Sequence, residues 1–182
     1  MDRELYDKYV PYKSLVIGLK QIMNEEIFSV RKIEPEDFET AWKILSEAYE
    51  AYATKFSSHM SDKMTYEEFR YVFDNPQTDF YFAEYDFSPV GVFCVWNIDE
   101  KSKRLTRLWI LPILVEMGMA RFVIQSYERL YADADVLYVR WLRVTDNDIE
   151  FCEKNGWRNM HQYINLLDNM NSVDMEKVLK NP

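Results

Sequence analysis

The sequence predicts an α/β fold of the α+β kind, a mixed and mostly antiparallel sheet with helices on both faces, and three observations carry the prediction. Segments of alternating polarity and segments of helical periodicity follow one another in the order β-α-α-β-β-β-α-β-α-β. Short turns join the three consecutive strands, which implies antiparallel neighbours. A strand through Leu108-Trp-Ile-Leu-Pro112 then runs by a short loop into an amphipathic helix, the connection that layered α/β domains use.

Ile27 to Ile33 alternates as a strand, and Glu34, Pro35, Glu36 and Asp37 open a helix with proline and acids where a helix N-terminus accepts them. Phe38, Ala41, Leu45, Ala48, Tyr49 and Tyr52 form that helix's buried stripe. Thr65 and Glu68 make a capping box for a second helix, which ends at Phe73 before Asn75-Pro76. Strands follow over Asp79 to Tyr85, Val90 to Ile98 after a turn at Ser88-Pro89, and Lys103 to Leu111. Ala120, Val123, Ile124, Tyr127, Leu130 and Tyr131 share one face of a helix from about Met117 to Tyr131. A strand over Val136 to Val144, a helix over Asp146 to Asn155 and a last strand over Asn159 to Leu167 complete the domain. The chain thus divides into a partly helical extension over 1–26, with Leu15, Val16, Ile17, Leu19 and Ile22 as its apolar cluster, a domain over 27–168, and a polar tail over 169–182 with one helical turn near Val173 to Leu179.

At 182 residues, 48% of them hydrophobic and 16% aromatic, the chain is large enough to build its own core. Its 31 acidic and 22 basic side chains leave a net charge of −9. That balance argues against nucleic acid or an anionic membrane as partner, because phosphate binding needs clustered Lys and Arg, and it favours a cationic acceptor such as an amine. Cys94 and Cys152 suggest no disulfide framework, and no signal peptide or long apolar run appears, so the expected setting is the cytoplasm. His59 and His161 have no companions at metal-ligand spacing, and no G-x-S-x-G elbow is present, so neither a metal centre nor a serine hydrolase is expected.

Gly118 and Ala120 stand at the mouth of the amphipathic helix and are small enough to let a phosphate approach its first N–H groups. With the element order, this loop resembles that of the GCN5-related N-acetyltransferases (GNAT) over roughly Phe28 to Leu167. In that family a strand runs into a proline and then into a loop Q/R-x-x-G-x-G/A, and Pro112, Val115, Gly118 and Ala120 occupy those places. Val90-Gly91-Val92 looks like the start of the family's third strand, and Glu153-Lys154-Asn155-Gly156-Trp157 looks like its closing Y-E-K-x-G-F segment.

The resemblance implies a central sheet of about six to seven strands and transfer of an acyl group, acetyl in the first instance, from a coenzyme A thioester to an amine within a ternary complex. It implies acetyl-CoA or another acyl-CoA as co-substrate, no metal, and compatibility with a homodimer. Strand residues Leu108 and Ile110 and loop residues Val115, Glu116, Met117, Gly118, Met119, Ala120 and Arg121 are the implied cofactor contacts. Three positions depart from the family pattern. Val115 stands for an Arg or Gln, Glu116 for a glycine or a basic residue, and Cys152 for the tyrosine that protonates the departing thiolate. A thiol's ordinary pKa of about 8.5 is close to that of the leaving group, which makes Cys152 the candidate catalytic residue. Arg104, Thr106 and Arg107 line the third strand of the meander without an acid among them. Glu47, Glu50 and Glu84 are carboxylates that could serve as base if they face a cleft. Among the aromatics, Tyr49, Tyr52, Phe56, Tyr81, Trp96, Trp109 and Trp141 divide between core and acceptor pocket. Val115 and Glu116 also motivate an alternative: a module of the same fold that has lost efficient cofactor binding and acts as an interaction or regulatory protein.

Overall fold

The computed structural model describes residues 28–56, 64–111, 114, 118–142, 146–165 and 170–180. The expected extension over 1–26, together with Pro112, Val115, Glu116 and Met117, lies outside the described residues. Strands β1 (Phe28–Lys32), β2 (Thr78–Tyr85), β3 (Ser88–Asn97), β4 (Ser102–Ile110), β5 (Val136–Leu142), β6 (Arg158–Asn165) and β7 (Met170–Val178) form one seven-stranded sheet in the order β1-β2-β3-β4-β5-β7-β6. Each neighbouring pair is antiparallel except β4 and β5, which run parallel. The helices are α1 (Phe38–Phe56), α2 (Tyr66–Phe73), α3 (Met119–Leu130) and α4 (Asp146–Lys154). None of them is long and apolar enough to cross a membrane.

Local chemistry explains where the helices start. Glu34 and Asp37 form a reciprocal capping box around a single 3-10 turn, Pro35–Asp37, which leads directly into α1. The Thr65 hydroxyl accepts from the Glu68 N–H at 3.2 Å while the Glu68 carboxylate accepts from the Thr65 N–H at 2.8 Å, so the expected capping box of α2 is present. Alternation then sorts the strand side chains onto two faces. Phe80, Phe82, Val92, Cys94 and Trp109 pack with Phe38, Leu45, Ala48 and Phe69 of α1 and α2. Phe93, Val95, Leu105, Ile110, Leu137, Val139, Val173 and Met175 pack on the other face with Val123, Ile124 and Tyr127 of α3 and with Cys152 of α4.

Two expectations are corrected. The turn between β2 and β3 lies at Asp86-Phe87 rather than Ser88-Pro89. Both turn residues take positive φ, 47° and 59°, the conformation whose twist matches a two-residue hairpin. Pro89 is accommodated in β3 opposite Glu84, where a register shift after Ala83 removes the need for its missing N–H. The segment expected as a polar tail with a helical turn is instead β7, seated between β5 and β6. Val173 and Met175 point into the core, and the outward carboxylates of Asp174 and Glu176 lie directly opposite Arg140 on β5 and Arg158 on β6. Those cross-strand ion pairs, at 2.7 Å and 2.5 Å, are what let so polar a segment serve as an internal strand.

Gly91 is required by close approach. A Cβ there would stand 2.9 Å from the Trp109 carbonyl oxygen and 3.0 Å from Ile110 Cγ1. Replacing it with alanine forces β3 from β4, and Gly91→Ala is expected to cost about 1–3 kcal/mol of stability in urea or thermal denaturation. An unchanged unfolding midpoint would contradict this packing.

Candidate active site

The site is built from a gap in the sheet. β4 and β5 are in register only from Ser102 opposite Val136 to Leu105 opposite Val139. Beyond that point β4 continues to Ile110 and β5 to Leu142 without pairing to each other. A bulge begins the divergence: Cys94 of β3 faces Arg107 and Val95 faces Leu105, which leaves Thr106 as an extra residue in β4. An extra residue bends a strand and sharpens its twist. The Thr106 hydroxyl donates to the Cys94 carbonyl at 3.3 Å and so holds the bulge against β3.

Tyr127 of α3 supports the base of the gap. Its ring is fully buried and stacks on Trp157, with centroids 6.4 Å apart, and its hydroxyl donates to the Tyr138 carbonyl of β5 at 3.2 Å. Burial pushes that hydroxyl's pKa up, so it remains a donor. Leu108 and Ile110 pack toward α3. Their side chains anchor the strand, and the main-chain edge of β4 is left facing the gap.

The N-terminus of α3 adjoins the same gap. Gly118 is its N-cap at φ +90°, a conformation that other residues adopt only with strain, although a Cβ there would meet open space. The first helical bond runs from the Phe122 N–H to the Gly118 carbonyl at 3.0 Å, so the N–H groups of Met119 and Ala120 precede any intrahelical partner. The side chains of Met119 and Ala120 are buried, which holds the turn from below. Arg121 crosses to α4, where it bonds Asp148 at 3.1 Å and lies 5.0 Å from the Phe151 ring centre. Asp148 is the partner that sequence reading missed, because two positions 27 residues apart carry no mutual signal.

Cys152 occupies a different environment from the gap. It is 0% exposed within the α3 and α4 core, and burial, reinforced by Asp148 and Glu128, pushes its thiol up to about 12. Cys94 is also buried, and burial lifts its thiol to about 11. Of the candidate carboxylates, Glu84 is committed elsewhere: it accepts from the Ser29 hydroxyl at 2.8 Å and from Arg31 at 3.2 Å. Tyr49, Tyr81 and Trp109 belong to the core clusters rather than to an open pocket, and nothing is described for the side chains of Tyr52, Phe56 and Trp141.

No family model matches the sequence, and no curated protein matches it. Solved structures match the fold. The ribosomal-protein-S18-alanine N-acetyltransferase from Escherichia coli aligns with a TM-score of 0.64 at 10% identity, over 86% of this chain and 96% of that one. Ard1 from Thermoplasma volcanium aligns at 0.59 and 14% identity, over 85% and 99%. The PaiA N-acetyltransferase from Thermoplasma acidophilum, solved in complex with coenzyme A, aligns at 0.57 and 18% identity, over 83% and 98%. The chain therefore has the fold of the GCN5-related N-acetyltransferases, as the loop and element order implied.

The thiol environments lead to a direct expectation. With both thiols displaced upward to about 11 and about 12, neither forms appreciable thiolate at neutral pH, and neither is reachable in the folded protein. A chromogenic disulfide reagent at pH near 8 should label neither Cys94 nor Cys152 in the native protein and both in concentrated guanidinium chloride. Rapid labelling of one thiol in the native state would contradict its placement.

Proposed function

We propose that the protein is an acyl-CoA-dependent N-acyltransferase, with acetyl-CoA as the acyl donor and a small amine or peptide as acceptor. The observation that carries this reading is the parting of β4 and β5 beyond Leu105, next to the Thr106 bulge and the uncapped turn at Gly118. A thioester and its pantetheine arm can lie in such a gap and bond to the free main-chain edge of β4 at Leu108 and Ile110. The N–H groups from Val115 through Arg121 would receive the pyrophosphate, where the helix dipole favours negative charge. The likeness to a structure that holds coenzyme A supports this use of the fold.

In the reaction the neutral amine nitrogen forms a bond to the thioester carbonyl carbon and the carbon–sulfur bond breaks. Its electron pair leaves on sulfur, and the nitrogen's proton passes to water. The contribution of β4 is orientation, together with a backbone N–H for the carbonyl oxygen as negative charge develops on it. A buried thiol raised to about 12 is a poor donor to the departing sulfur, so we assign Cys152 a packing role and leave the thiolate to be protonated by solvent. On this reading the reaction runs where both substrates are dissolved, in the cytoplasm.

Calorimetric titration with acetyl-CoA tests the reading. Saturable binding is expected, with a rise in stability of about 2.7 kcal/mol at a hundredfold excess over Kd. Replacing Val115 with Arg and Glu116 with Gly should tighten binding about tenfold or more, since a carboxylate beside phosphate is exchanged for a charge-assisted hydrogen bond. Cys152→Ala should keep its transfer rate per folded molecule. Absence of binding by both the parent and the double variant would favour the interaction module instead.

A further inference from the structure

Among the described residues, helices α1 and α2 cover β2, β3 and the Trp109 region of β4. On the same face, the described residues of β5, β7 and β6 contribute nothing to their core cluster. A groove of about 310 Å³ lies there, lined by Arg104, Thr106, Tyr138, Arg140, His161 and Asp174. Because Thr106 is the bulged residue, the groove starts where β4 leaves β5. It therefore opens toward the reacting end of the gap, on the face opposite α3.

The charges in this groove are unequal. Asp174 takes up Arg140 with both carboxylate oxygens, at 2.7 Å and 2.8 Å. Arg104 has no carboxylate within ion-pair distance among the described residues; its guanidinium lies 5.4 Å from the centre of the Tyr138 ring. Arg107 lies opposite Cys94 as Arg104 lies opposite Trp96, so the bulge brings both arginines onto one face of β4. Arg107 rests 5.7 Å from the Trp109 ring centre, donates to the Met64 sulfur at 3.2 Å, and interacts electrostatically with the Glu68 carboxylate of α2, so it is partly compensated there. Elsewhere Arg31, Arg121, Arg140 and Arg158 are each held by a carboxylate. Arg129, which has no ion-pair partner among the described residues, sits in the last turn of α3, where the helix dipole favours its charge. Among the described residues, an acidic chain thus leaves the Arg104 guanidinium without an ion-pair partner where β4 parts from β5.

We propose that the acyl acceptor is a small amine that also carries a carboxylate, a compound of the amino-acid class, and that Arg104 recognises the carboxylate. This deepens the acyltransferase reading above and rests on it. A guanidinium that lies against an aromatic ring keeps its planar N–H fork for a ligand, and that fork matches a carboxylate in two bonds. A groove of about 310 Å³ is at the small end of ligand sites and suits a single amino acid. The overall charge of −9 favours cationic acceptors in general, whereas this groove favours acceptors whose amine and carboxylate offset each other.

The test uses the full chain and paired probes, free amino acids and their carboxamides, which differ in the carboxylate. Ligand-observed NMR without coenzyme A measures binding, and release of free thiol from acetyl-CoA measures transfer. The acids should bind about tenfold or more tightly than the amides. Arg104→Gln should collapse that ratio toward one, and Arg129→Gln should leave it intact. Equal binding of acids and amides, binding of neither, or a preference that survives the Arg104→Gln, Arg107→Gln double variant would overturn the proposal. Acid-selective binding that depends on Arg104, without transfer, would remove the acyltransferase reading and keep the groove's carboxylate specificity. Transfer to amines with no preference for acids would do the opposite.

Discussion

The constraint on which the site depends is the short pairing of β4 with β5. Over four residue pairs the two strands hold each other in parallel, and then an extra residue, Thr106, turns β4 away. A gap in the middle of a sheet would ordinarily be closed, since unpaired strand edges in a protein interior are costly. Here it is kept open by covalent length and by packing: the bulge spends one residue of β4 without a partner, while Tyr127 plugs the base of the gap and bonds the β5 carbonyl at Tyr138. Leu108 and Ile110 anchor the far end of β4 to the α3 core, so the strand cannot swing back. What remains is a polar main-chain edge between two rigid walls.

Electrostatics follow a different logic in the two halves of the molecule. Many charged side chains among the described residues are paired with an opposite charge, and several of these pairs are structural. Glu128 of α3 accepts from the Trp157 indole and from Lys177 of β7, tying helix, loop and strand together. Lys32 and Asn97 both bond Asp79, and Tyr131 joins the same carboxylate from the end of α3. Pairs of this kind at half-exposed positions contribute modestly to stability, yet they set register and orientation. Against this background Arg104 differs in lying against an aromatic ring, with no ion-pair partner among the described residues, while Arg107 lies between Trp109, the Met64 sulfur and the field of Glu68. Their placement follows from the same bulge that opens the sheet.

Much of the fold was legible because local chemistry and global packing agree. Thr65 with Glu68 marks a helix start by reciprocal hydrogen bonds that need only four residues. The stripe from Ala120 to Tyr127 marks a buried helix face, and Gly118 marks its entrance, because few other residues tolerate its backbone conformation. The turn at Asp86-Phe87 was not legible: both residues stand at positive φ without being glycine, while the neighbouring Ser88-Pro89 offered a stronger but misleading signal. β7 was overlooked because its alternation is confined to Val173 and Met175 among polar residues. Those polar residues acquire partners only when Arg140 and Arg158 arrive from other strands.

By itself the sequence determined the order of elements through β6, the cap positions, the apolar faces and the small residues at the mouth of α3, since these depend on interactions within a few residues. Only the tertiary structure decided that β7 lies inside the sheet, that β4 bulges at Thr106, that Cys152 is sealed in the core and that Arg121 is held by Asp148. Each of these depends on groups that are distant along the chain and meet only once the sheet has closed around them. Register, burial and charge pairing are properties of neighbours in space, and a linear pattern does not carry them.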